Sequence, residues 1–67
     1  MQLSTRNQLQ GKIKDVKKGP VSTEVSIDVN GQTMVASITT GSADSMGLKV
    51  GDDVRALVKA SSVMVMK

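Results

Sequence analysis

Val21-Ser22-Thr23-Glu24-Val25-Ser26-Ile27-Asp28-Val29-Asn30-Gly31-Gln32-Thr33-Met34-Val35-Ala36-Ser37-Ile38-Thr39 decides the fold. Val21, Thr23, Val25, Ile27 and Val29 fall on one face, and Ser22, Glu24, Ser26 and Asp28 on the other. A period of two is the mark of a half-buried strand. Asn30-Gly31 follows without a spacer, and that pair suits a tight hairpin turn whose central residues need positive φ. The return arm, Gln32 to Thr39, puts Met34, Ala36 and Ile38 on one face and Thr33, Val35, Ser37 and Thr39 on the other.

Outward from this hairpin the same period continues. Upstream, Leu9 to Val16 reads as a strand in which Leu9, Gly11 and Ile13 alternate with Gln10, Lys12 and Lys14. Val16 then falls on the wrong parity, and a bulge near Asp15 restores the phase. Lys17-Lys18-Gly19-Pro20 is a loop, since Pro20 has no N–H to give to a ladder. Downstream, Gly41 to Leu48 is the helical stretch, a single turn with Ser42 as its cap and Gly47 as its left-handed end. Val50-Gly51-Asp52-Asp53 is a turn. Val54 to Val58 alternates again, Ala60-Ser61-Ser62 interrupts, and Val63 to Met66 closes as a fifth short strand. Five strands with a helical turn between the third and fourth predict an all-β chain, a small five-stranded OB-like barrel forming a single domain over residues 1–67.

Composition narrows the function. In 67 residues there is no Cys, His, Phe, Tyr or Trp. Disulfides and the common zinc sites are therefore excluded, and most nucleophilic or acid–base enzyme mechanisms lose their usual groups. The core must be built from Val, Ile, Leu, Met and Ala, with Met34, Met46, Met64 and Met66 expected to fill its gaps. So short a chain is marginal alone, and self-association is the remedy left open to it. The net charge of +3 is compatible with small anions or nucleic acid. No stretch reaches the roughly 20 apolar residues of a membrane span, and Met1 to Leu9 lacks the apolar core of a signal peptide. The expected setting is cytoplasmic, with no membrane partner and no enzymatic activity.

Three polar stretches interrupt or end strands: Ser4-Thr5-Arg6-Asn7, Thr39-Thr40-Gly41-Ser42 and Lys59-Ala60-Ser61-Ser62. They carry a guanidinium, an ammonium, hydroxyls and turn amides, but no base. That donor stock suits a multiply charged oxyanion, because charge-assisted N–H bonds to such anions are short and strong and fixed backbone donors add to them. Each stretch also has a plain structural reading. Ser4 to Asn7 fits a frayed terminus, Ser42 a helix cap, Lys59 a strand-end charge, and Ser61-Ser62 ordinary turn chemistry.

The run Leu3-Ser4-Thr5-Arg6-Asn7-Gln8-Leu9-Gln10-Gly11 resembles the opening of the molbindin family, the molybdopterin-binding-protein-like or TOBE domains. Lys17-Lys18-Gly19 is similar to that family's first loop, Ala36-Ser37-Ile38-Thr39 to its third strand end, Ser45 to Gly51 to its helix and turn, and Val58-Lys59-Ala60-Ser61 to its terminal motif. The resemblance spans nearly the whole chain. It implies binding and intracellular storage or buffering of molybdate or tungstate at subunit interfaces, by a homohexamer arranged as a trimer of dimers. Ser4 and Arg6 would serve one site type, completed across an interface by Thr39, Ser42, Lys59, Ala60 and Ser61. A second site type would lie around Lys18, Gly19 and Val21, where Pro20 removes one backbone donor. The competing reading is an OB-type nucleic-acid-binding module. It is weakened by the lack of aromatic side chains on which bases stack, so no nucleic acid partner is expected. Lys12, Lys14, Lys17 and Lys18 are read as a solvated face that could also steer anions, and Asp52-Asp53 as a turn without a metal.

Overall fold

The computed structural model describes residues 6–67. β1 (Asn7–Lys18), β2 (Ser22–Val29), β3 (Gln32–Thr39) and β4 (Asp53–Val58) form one antiparallel sheet in the order β3-β2-β1-β4. α1 (Thr40–Met46) lies between β3 and β4, and a 3-10 turn (Ala60–Ser62) follows β4. The β2–β3 hairpin is as the alternation requires: Val25 pairs Ala36, Ile27 pairs Met34, and Asn30 and Gly31 turn the chain at φ of 51° and 84°. Two successive positive φ values match the twist of the flanking strands.

β1 is longer than the expected Leu9 to Val16, and two neighbours share it. Asn7 to Lys12 pairs with β4 and Lys12 to Lys18 with β2. The bulge falls where the parity of Val16 required one: Ile13 pairs Ile27, Asp15 pairs Ser26, and Lys14 drops out of the pairing. At Gly11 β1 runs so close to β2 that a Cβ would stand 2.5 Å from Ile27 Cγ2 and 2.7 Å from the Asp28 carbonyl oxygen. A side chain there would force the two strands apart.

Among the described residues Ile13, Val25, Ile27 and Ala43 are the buried apolar ones, with Val16, Val29, Met34, Ala36, Ile38, Leu48, Val54 and Ala56 packed around the three strand residues. Four expectations need correction. The sheet has four strands and stays open, because Val63 to Met66 forms no strand; Met64, Val65 and Met66 are 94%, 93% and 96% exposed. Of the four methionines expected to fill the core, Met34 packs against it, whereas Met46, Met64 and Met66 are exposed. The helix covers seven residues, Thr40 to Met46, rather than one turn within Gly41 to Leu48. Its cap is Thr39, which has extended φ and ψ (−68°, 145°) and accepts from the Ser42 amide. Ser42 already has helical geometry, and a cap must stand just outside it. Gly47 ends the helix in the left-handed region as expected. The lysine run lies on an exposed face as expected, with surface contacts of its own: Lys12 pairs with Asp53 at 3.7 Å, Lys18 with Asp44 at 2.6 Å, and Lys14 donates to Thr33.

Candidate functional site

The sequence-derived site residues fall into two groups, one at each end of β1. At the first end the ladder runs Gln8↔Leu57, Asn7↔Val58. The pairing ends there, with Arg6 preceding Asn7 and Lys59 following Val58, so both cations lie at this end of the sheet just beyond its last pair. Antiparallel neighbours on one face lie close enough for long side chains to meet over a common ligand. The chain then enters the 3-10 turn, in which the Ser62 amide donates to the Lys59 carbonyl at 2.8 Å and the Val63 amide to the Ala60 carbonyl at 3.3 Å. The amides of Ala60 and Ser61 precede the first of these bonds, so the turn itself offers them no acceptor. Arg55, two pairs further along, reaches Gln8 Oε1 at 3.5 Å from the same face. Ser4 lies outside the described residues.

At the other end β2 and β3 close on Ser22↔Thr39 and β1 and β2 on Lys18↔Thr23. The Thr39 hydroxyl accepts from the Ser42 amide at 3.1 Å and donates to the Ser42 hydroxyl at 2.8 Å. Ser42 therefore keeps its own hydroxyl proton free to donate outward. The loop residues Lys18, Gly19 and Val21 are close by but more committed. The Gly19 amide is spent on the Ser22 carbonyl at 3.0 Å, the Val21 carbonyl accepts from the Thr40 amide at 2.9 Å, and the Lys18 ammonium sits on Asp44.

Two residues absent from the expected set hold this end together. Thr23, fully buried, lies 2.8 Å from the Thr40 hydroxyl, which in turn donates to the Gly19 carbonyl at 2.6 Å. With the Thr40 proton on Gly19, Thr23 is the donor in the first bond. The loop and the start of α1 are thus latched through a single hydroxyl. A threonine within a run of buried Val and Ile was the visible signal of a satisfied polar group. Its partner stands 17 residues away, and the alternation carries no trace of it.

The two groups remain apart within one chain. Arg6, Lys59, Ala60 and Ser61 stand at the Asn7 end of β1, while Thr39, Ser42, Lys18, Gly19 and Val21 stand at the Lys18 end, with the twelve-residue strand between them. No group of three or more acidic residues able to hold a metal ion occurs among the described residues. Asp52, whose carboxyl is held below its ordinary range by the Lys49 side chain and amide, lies in the turn before β4, away from both ends.

A family model for the TOBE domain matches residues 3–65. The chain is 40% identical to molybdenum-pterin-binding protein 3 of Clostridium pasteurianum over 98% of both proteins. Its structure superposes on that of a molybdate-binding protein from Sporomusa ovata with a TM-score of 0.95, at 40% identity and complete coverage of both chains. It also superposes, with a TM-score of 0.87 and 34% identity, on the cytoplasmic molybdate-binding protein ModG with molybdate bound, covering 96% of this chain and 46% of that one.

Proposed function

The chain belongs to the TOBE domain family, and from that premise we propose that it binds molybdate, with tungstate as an equivalent guest, at sites shared between copies of itself. Its role is storage or buffering in the cytoplasm, with no catalytic step.

The separation of the two donor groups along β1 is the observation that carries this reading. A tetrahedral dianion taken out of water must have its oxygens hydrogen-bonded and its charge offset. The Arg6–Lys59 end brings two positive charges and the first amides of the 3-10 turn. The opposite end brings the Ser42 hydroxyl on the first turn of α1. Neither end suffices alone, and one chain cannot fold them together across its own longest strand. An Arg6–Lys59 end of one protomer set against a Thr39–Ser42 end of another supplies cations, hydroxyls and amides around one cavity.

The open sheet supports the same assembly. Its apolar face is a broad groove lined by Met34, Ile38, Met46, Leu48, Val54 and Leu57, and only four apolar residues among those described are buried, a small core for a chain standing alone. A second copy, with an apolar Val63 to Met66 of its own, is the fitting cover. We propose the homohexamer, a trimer of dimers, as the resulting state. Without anion, Arg6 and Lys59 repel at such an interface, so molybdate stabilises the assembly by mass action.

Calorimetric titration of sodium molybdate into the protein and its R6A and K59A variants tests the reading. Molybdate is expected to bind the parent protein, with each variant at least about tenfold weaker, the loss of one charge-assisted bond of roughly 1.5–3 kcal/mol. Unchanged affinity in R6A, with the fold intact by circular dichroism, removes the Arg6 end from the site.

A further inference from the structure

We propose that Asp44 is a built-in competitor for the anion at the first loop: its carboxylate occupies the Lys18 ammonium in the empty protein and must be displaced before a dianion can settle against Lys18, Gly19 and Val21. This rests on the proposed binding of molybdate and on the loop being the second site type that the family resemblance implies for Lys18, Gly19 and Val21.

Three observations converge on it. The Lys18 Nζ to Asp44 Oδ1 distance is 2.6 Å, the shortest ion pair among the described residues. Lys18 is the last residue of β1 and pairs with the buried Thr23, so its side chain leaves the strand on the core side and reaches across to α1. The Thr23–Thr40–Gly19 latch then fixes α1 against the loop, with the Thr40 amide on the Val21 carbonyl as a further tie. The backbone therefore keeps the two charges within reach of each other, while both side chains stay exposed, 60% and 56%, which leaves the pair weak enough for a dianion to displace.

The loop has few other donors. Pro20 has no N–H, and the Gly19 amide is committed to the Ser22 carbonyl. A dianion arriving there depends on the Lys18 charge, so it competes with Asp44 for one ammonium. Asp44 left in place would add a like charge beside the guest. The loop site consequently fills only at higher anion concentration than its own donors would set, which divides the assembly into a tight interface class and a weaker loop class.

The test is calorimetric titration of sodium molybdate into the intact oligomer of the parent, D44N, K18A and the D44N/K18A double variant, with assembly checked by light scattering. D44N is expected to tighten the weaker class of sites by about two- to fivefold, the range open to an exposed ion pair. K18A is expected to weaken or abolish that class, and the gain from D44N to disappear in the double variant. If K18A weakens the class but D44N leaves it unchanged, the competition is wrong while the loop site stands. If D44N tightens binding equally with Lys18 absent, Asp44 acts on the anion through space and the proposal is overturned. If K18A has no effect on any class, the loop is not a site, and both readings of it fall together.

Discussion

Thr40 illustrates how one hydroxyl can hold a loop. Its oxygen meets the Thr23 hydroxyl and donates to the Gly19 carbonyl, while its amide takes the Val21 carbonyl. Replacing it with valine keeps the shape and removes both side-chain bonds, leaving the fully buried Thr23 hydroxyl without a partner. A buried donor stranded in this way costs about 1–3 kcal/mol. T40V should therefore unfold at lower denaturant with an unchanged slope, and T23V/T40V should recover part of the loss, since the stranded hydroxyl is then gone as well. A midpoint equal to the parent's would show that the latch contributes nothing. At this scale the sequence was half legible. Thr23 stood on the core face of the β2 alternation, so its burial could be read, whereas its acceptor depended on where α1 docks. The same limit explains the cap. Thr39 and Ser42 are both good capping residues, and only the extended backbone of Thr39 decides between them.

Among the elements, those defined by neighbouring residues were legible and those needing a distant partner were not. The hairpin followed from alternation and Asn30-Gly31, and the bulge in β1 from the parity of Val16 against Ile13. Val63 to Met66 is apolar enough to be a strand, but periodicity is silent on whether a partner exists in the same chain. The turn before β4 was also legible, and its chemistry makes it sensitive to acid. The Asp52 carboxylate accepts from the Lys49 amide at 3.1 Å and pairs with its ammonium at 3.2 Å. The Gly51 amide and the Asp52 carbonyl bond Ile13 on β1. The hydrogen bond from the Lys49 side chain, followed by that from its amide and helped by the attraction of its charge, holds the Asp52 carboxyl below its ordinary range; partial burial pushes the other way. A carboxyl whose folded value is depressed adds stability that is fully present above its unfolded value and is lost as pH falls through the folded one. D52N should thus melt lower than the parent at neutral pH, and the gap should close as the pH drops below the usual carboxylate range. Thermal melts across an acid series measure this, and a gap of constant size at every pH would assign the effect to the turn's shape instead of its charge.

For the molecule as a whole, the decisive geometry is that β1 is long and carries different chemistry at its two ends. The cations, hydroxyls and turn amides, present without a base or an aromatic platform, were compatible with an anion binder, and the resemblance to the molbindin family tipped the reading that way. The composition did not reveal that Lys59 stands with Arg6 while Thr39 and Ser42 stand opposite, since that follows from the sheet order β3-β2-β1-β4. A site built from the Arg6 end of one copy and the Ser42 end of another has a consequence that a site within one chain cannot imitate. R6A damages only the first end and S42A only the second, and the Thr39 cap survives in both. Each homogeneous assembly should then bind molybdate weakly at every shared site. If the two variants are unfolded, mixed in equal amounts and refolded together, random assembly joins unlike copies at about half of the two-fold contacts and restores one of the two sites in each, so an intact Arg6 end meets an intact Ser42 end at about a quarter of the shared sites. Calorimetry on the mixture should recover parent-like affinity with about a quarter of the parent stoichiometry. Binding no better than the average of the two variants would mean that each chain builds its site alone, and the opposed ends of β1 would then need another explanation.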